Sequence, residues 1–174
     1  TGANIKDVSL AIGTDRRIGE KFLNAGPGFG GSCFKKDILN LVYICDHYGL
    51  RKESEYWEKV VEINTWQKKR ISNLIIENLF GTISGKKIAI LGFAFKANTN
   101  DTRESPAIDI CNELIKEGGN VYIYDPKVSL NQIQMDLNMM ESNSIDSNNE
   151  DGNWTFSNSI IEAIDSADAL VVLT

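Results

Sequence analysis

The run Gly26-Pro27-Gly28-Phe29-Gly30-Gly31-Ser32-Cys33-Phe34-Lys35-Lys36-Asp37 holds four glycines and one cysteine in twelve residues and then passes into a helical pattern. Glycines let backbone N–H groups approach an anionic ligand closely, and a thiol in the first turn of a helix lies at the positive end of its dipole, which favours thiolate. Two readings fit Cys33. It is a small residue capping a helix in a tight turn, or a nucleophile that attacks an aldehyde and is later freed by water. Asp37, one turn on, favours the nucleophile if it orients a water or a protonated group for thioester hydrolysis; its other reading is a first-turn carboxylate that stabilises the helix. A carboxylate raises the pKa of a nearby thiol, whereas the helix terminus and Lys36 lower it.

A second cluster follows an apolar run. Gly92-Phe93-Ala94-Phe95-Lys96 stands where a dinucleotide loop would stand, but without the GxGxxG spacing that admits a pyrophosphate. The expectation is that this unit does not bind NAD. A different nucleotide, gripped by Lys96 and a stacking aromatic, fits the residue types, and a plain strand end is the competing reading. Asp101-Thr102-Arg103-Glu104-Ser105 brings a guanidinium to the C-terminal side of the same strand, either as a ligand contact or as a solvated loop with local ion pairs.

The elements that must position these groups follow from periodicity. Ile5, Val8 and Ile12 predict a short helix over Asn4–Ile12, ended near Gly13. Phe34, Ile38, Leu41, Val42 and Cys45 form a helical stripe to about His47, with Gly49 as its stop. A long helix is expected from Glu53 to Phe80, with Trp57, Val60, Val61, Asn64, Ile71, Leu74, Ile75 and Leu79 on its apolar side. At about 42 Å it would bridge domains or pack against a partner. Tyr56, Trp57 and Trp66 on it read as packing residues, and Cys45 and Cys111 as core.

Gly81–Gly85 reads as a linker. Beyond it, Lys87–Gly92 and Val121–Pro126 are buried strands around a helix capped by Ser105, begun by Pro106 and closed by Gly118-Gly119, a βαβ unit. About Asn138 to Asn153 is polar and reads as a mobile loop, followed by a helix over Ser159–Ser166 and a strand over Ala169–Leu173. The fold class is α/β: a helical segment over 1–80 with a long helix, then a truncated Rossmann-like parallel unit over 86–174.

Bulk composition narrows the classes. Of 174 residues, 42% are hydrophobic and 24% charged, which is the balance of a globular chain, and a net charge of −6 argues against a nucleic-acid surface. No apolar run approaches the length of a membrane span, and the default compartment is the cytosol. Three cysteines without CxxC spacing and a single histidine, His47, point to neither a disulfide framework nor a metal site.

Three motifs in order, Asp15-Arg16-Arg17-Ile18-Gly19, GFGGSCFKKD from Gly28 and GFAFKANTNDTRESPAI from Gly92, resemble the UDP-glucose 6-dehydrogenase family. The likeness runs from residue 1 to about Val128 and resumes weakly over Ala167–Thr174. It implies oxidation of UDP-glucose to UDP-glucuronate with two NAD molecules, through a thiohemiacetal and a thioester on the matching Cys33, assisted by Asp37. It also implies that Arg17 enters a neighbouring subunit's site, and that Asn24, Ala25, Gly26, Pro27, Gly28, Phe29 and Gly30 cradle sugar and diphosphate. Phe95 and Lys96 would contact substrate, while Cys33, Phe34, Lys35, Lys36 and Arg103 would face NAD. The long helix would form a dimer in a homo-oligomer. The family's N-terminal NAD domain and the last strands of the UDP-binding unit have no counterpart here, so the sequence reads as part of a longer protein, inactive alone. A sister enzyme acting on a UDP-N-acetylhexosamine or GDP-mannose, and a non-catalytic nucleotide-sugar binding or oligomerisation module, are the alternatives.

Overall fold

The structure, a computed structural model, describes residues 2–21, 23–141 and 152–174. Within them the chain forms helix α1 (Ile5–Gly13), α2 (Phe34–His47) and α3 (Arg51–Asn78), and then β1 (Lys87–Leu91), α4 (Pro106–Lys116), β2 (Asn120–Tyr124), α5 (Leu130–Glu141), β3 (Asn153–Phe156), α6 (Ile160–Ile164) and β4 (Ala169–Val172). This is the expected α/β class.

All three strand pairings are parallel, and the sheet order is β3-β2-β1-β4. Ile88, Ala89 and Ile90 of β1 are fully buried, as a central strand covered on both faces requires. The chain moves from β1 to β2 to β3 on one side, then returns to place β4 on the other side of β1. That reversal creates a switch point at the C-terminal ends of β1 and β4, where open α/β sheets bind ligands.

The long helix does bridge the two halves. Its first turns pack against α2, while Ile71, Ile75, Ile76 and Leu79 near its end pack onto the sheet core of Ile88, Ile90, Ile110, Leu114 and their neighbours. Leu74, expected on the apolar side, is exposed, as are Tyr56 and Trp66. Cys45 and Cys111 lie in the core as expected.

Helix ends explain the boundary differences. At the end of α2, Gly49 has φ +74, and the Gly49 and Leu50 N–H groups donate to the Asp46 and Cys45 carbonyls at 3.0 and 2.9 Å. This is a Schellman closure with glycine at the left-handed position. Gly118 does the same for α4. In α3 the left-handed residue is Phe80, with φ +65, and the Gly81 N–H donates to the Ile76 carbonyl at 3.0 Å. Phe80 therefore stands outside the helix that its apolar character suggested it would end.

The polar stretch read as a loop is framed by regular structure. Its first residues, from Asn138, belong to α5, and its last, Asn153, opens β3. Residues 142–151 lie outside the described residues.

Candidate active site

The glycine-rich segment is held from two sides. Toward α3, the Asn64 carboxamide accepts the Phe29 N–H at 2.8 Å and donates to the Phe29 carbonyl at 3.0 Å. Toward the sheet, the Gly31 N–H donates to the Arg103 carbonyl at 2.8 Å. Three glycines are obligatory here, and a Cβ on Gly30 would collide with the Glu104 backbone carbonyl. Gly28 has φ +135, and a Cβ on it would sit 2.8 Å from Asn64 Oδ1. Gly31 has φ +83, and its Cβ would meet the Phe95 ring at 2.9 Å.

Cys33 follows as the N-cap of α2, exposed, with its carbonyl accepting the Asp37 N–H at 2.8 Å. Its own side chain makes no capping bond, so the thiol is not consumed in holding the helix start. Ser32 Oγ lies 3.6 Å from Cys33 Sγ. The Phe34 ring meets Phe29 edge-on at 5.8 Å. Lys35 reaches across to Glu104 at 2.8 Å, tying α2 to the loop after β1, while Lys36 and Asp37 are exposed.

That loop is itself fixed from beneath. Asp125, just past β2, is buried and accepts four backbone N–H groups: Phe93 at 2.7 Å and Ala94 at 3.1 Å on one oxygen, Lys127 at 2.7 Å and Val128 at 3.0 Å on the other. Burial pushes this carboxyl up, but the four amides together carry it below the usual carboxylate range. Ser105 adds a second pin, donating to the Phe93 carbonyl at 2.7 Å while capping α4.

Phe95 and Lys96 thus follow β1 in the loop at the switch point, with Lys96 Nζ 5.2 Å from the Phe95 ring centroid. Arg103 is exposed and forked onto Asp101 at 2.9 and 2.6 Å, which holds the Asp101 carboxyl below its ordinary value. Glu104, the residue after Arg103, is strained at φ +54.

The remaining expected residues are less gathered. Arg17 is exposed and paired with Asp15, whose carboxyl it lowers by hydrogen bonding. Asn24 and Ala25 line a cavity of about 570 Å³ against α1, with Ser9 and Leu23, and Gly26 is exposed. A cavity of about 590 Å³ between α3 and α4 contains only Lys35 of the expected set. Asn64 and Asp125 were not anticipated as site residues. The sequence signal for Asn64 was a polar residue on an apolar helical stripe; for Asp125 it was an acid at the end of a strand.

A Rossmann-like parallel unit joined by one long helix to a segment that presents an exposed thiol behind a clamped glycine turn defines the class. Comparisons with known proteins agree. The UDP binding domain of the UDP-glucose/GDP-mannose dehydrogenase family matches residues 89–174, and the central domain of the same family matches residues 1–66. UDP-glucose 6-dehydrogenase 1 of Glycine max is 60% identical over 139 residues, and UDP-glucose 6-dehydrogenase 4 of Arabidopsis thaliana is 59% identical over the same length. Each alignment covers 80% of this chain and 29% of the relative. A UDP-glucose dehydrogenase structure from the archaeon Pyrobaculum islandicum superposes with a TM-score of 0.77 at 29% identity, covering 97% of this chain and 35% of that one. The chain belongs to the UDP-glucose/GDP-mannose dehydrogenase family. It spans less than a third of the length of the curated relatives it matches.

Proposed function

We propose that this chain forms the thiol-bearing and UDP-binding part of an NAD-dependent UDP-glucose 6-dehydrogenase. The observation that carries the reading is the double clamp on the glycine segment, which packs Gly31 against Phe95 two residues before the exposed Cys33. In this reading the backbone of Asn24–Gly30 and Lys96 hold the sugar diphosphate, and Phe95 borders it.

NAD finds only part of its grip here. The loop after β1 lacks GxGxxG, and the strand-end acid that would hold a ribose hydroxyl, Asp125, is spent on four backbone amides. The exposed Lys36 and Arg103 near Cys33 suit a dinucleotide that reaches the thiol from outside this unit. When bound, NAD accepts the hydrides that leave the sugar C6, one for each of two oxidations.

The chain's own steps are covalent and hydrolytic. The Cys33 thiolate adds to the C6 aldehyde to give a thiohemiacetal, whose oxidation leaves a thioester; water, positioned by Asp37, then releases the carboxylate and returns the thiol. The balance is one alcohol, two NAD and one water giving one carboxylate, two NADH and three protons. The chain spans 29% of its curated relatives, and in this reading turnover is a property of the longer protein. Exposed Tyr56, Ile63 and Trp66 on α3 give a second copy a surface to cover. Turnover assays of the longer protein with UDP-glucose, a UDP-N-acetylhexosamine and GDP-mannose test the reading. Preference for UDP-glucose with NADH formation supports it, and preference for either other sugar replaces it with a sister activity.

A further inference from the structure

We infer that Asn64 is a positioning residue for sugar-nucleotide binding, acting through the backbone of Phe29; the assignment rests on the proposed dehydrogenase reading. Asn64 is buried in the middle of α3, 9% exposed, and its carboxamide meets one residue of the glycine segment with both of its faces. The Phe29 N–H requires an acceptor and the Phe29 carbonyl a donor, so the orientation of the amide is fixed by its partners. Such a two-point contact fixes the plane of the peptide groups flanking Phe29, which a single hydrogen bond would leave free to rock.

The fit continues upstream. Asn64 Oδ1 and the Lys68 side chain occupy the space that a Cβ at residue 28 would need, at 2.8 and 3.3 Å, so helix and glycine turn are matched to each other. The Lys68 stem is held there by its ammonium group, which pairs with Asp109 of α4. Asn64 thus conveys the position of a 28-residue helix to a turn that lies four residues before the thiol. Leucine, glutamine and aspartate all fit the volume roughly, but only asparagine offers donor and acceptor at this reach.

The test uses the longer protein containing this chain, with Asn64→Leu removing both hydrogen bonds at similar volume and Asn64→Asp keeping only the acceptor. Loss of positioning raises KM for UDP-glucose about tenfold or more in Asn64→Leu, the scale of one to two lost hydrogen bonds, and less in Asn64→Asp. KM for NAD stays within about twofold, since the dinucleotide's grip lies elsewhere. A purely structural role predicts a lower folded fraction with unchanged KM in the folded enzyme, and that result overturns the assignment. If Asn64→Leu does not fold, Asn64→Asp alone decides on the same KM criterion. Wild-type protein that turns over no UDP-glucose overturns the dehydrogenase reading instead, whereas active wild type with unaltered variants overturns only the role of Asn64.

Discussion

Cys33 stands exposed at the head of α2, Cys45 lies buried further along the same helix, and Cys111 is wholly enclosed in the sheet core. Burial pushes the Cys111 thiol well above its ordinary value, so it stays protonated and unreactive. Iodoacetamide at pH 8 is expected to label Cys33 first, with Cys111 labelled only on unfolding; peptide mass spectrometry reads the order, and equal rates would contradict it. Asp125 is the other residue whose environment fixes its behaviour. Its folded pKa lies below the unfolded value, so its contribution to stability is complete above the ordinary carboxylate range near pH ~4 and is lost as pH falls through the folded value. Asp125→Asn should cost about 1–3 kcal/mol in urea unfolding at neutral pH, because an amide turns a donor toward backbone N–H groups. The variant should also show a shallower acid limb than wild type.

At the scale of elements, α3 shows how far periodicity reaches and where it stops. Its existence and length were legible from the apolar stripe, and that length left bridging and packing against a partner as alternatives; the N-terminal turn of α2 was legible from the glycines before Cys33. The end of α3 was not, since Phe80 looks like one more apolar helical residue but lies 94% exposed in a left-handed conformation. Phe80→Gly should therefore raise Tm, by up to about 1 kcal/mol of stability, as relief of the left-handed strain exceeds the loss of the contact with Lys86 and the added chain entropy. A lower Tm would show that this ring is needed. Helix α5 escaped notice because its stripe amounts to Ile133 and Leu137, both fully buried but set among polar residues. Strand β3 is four residues long at the sheet edge, with only Trp154 and Phe156 turned toward the core. Asn64 was visible only as a polar interruption of a stripe. Its meaning depends on Phe29, 35 positions away in sequence.

At the scale of the molecule, two ion pairs among the described residues tie the helical segment to the sheet unit, and their surroundings rank them. Lys35–Glu104 joins side chains 43% and 41% exposed, so solvent screening leaves it worth about 0–1 kcal/mol. Lys68–Asp109 joins a side chain 10% exposed to one 40% exposed, and removal of the carboxylate strands a buried ammonium. Asp109→Asn should destabilise by about 1–3 kcal/mol, discounted for the exposure of Asp109, and Glu104→Gln by less than about 1 kcal/mol; urea unfolding that reverses this order would contradict it. Both pairs flank the glycine segment that the proposed reading places between thiol and nucleotide loop. The central claim is that Cys33 captures the C6 aldehyde left by the first oxidation and carries it through the second. Its most direct measurement is the yield of NADH per UDP-glucose consumed by the longer protein, wild type and Cys33→Ala. Two NADH per sugar in wild type, and none sustained in Cys33→Ala, is the expected result; one NADH per sugar, or full turnover without the thiol, would contradict it.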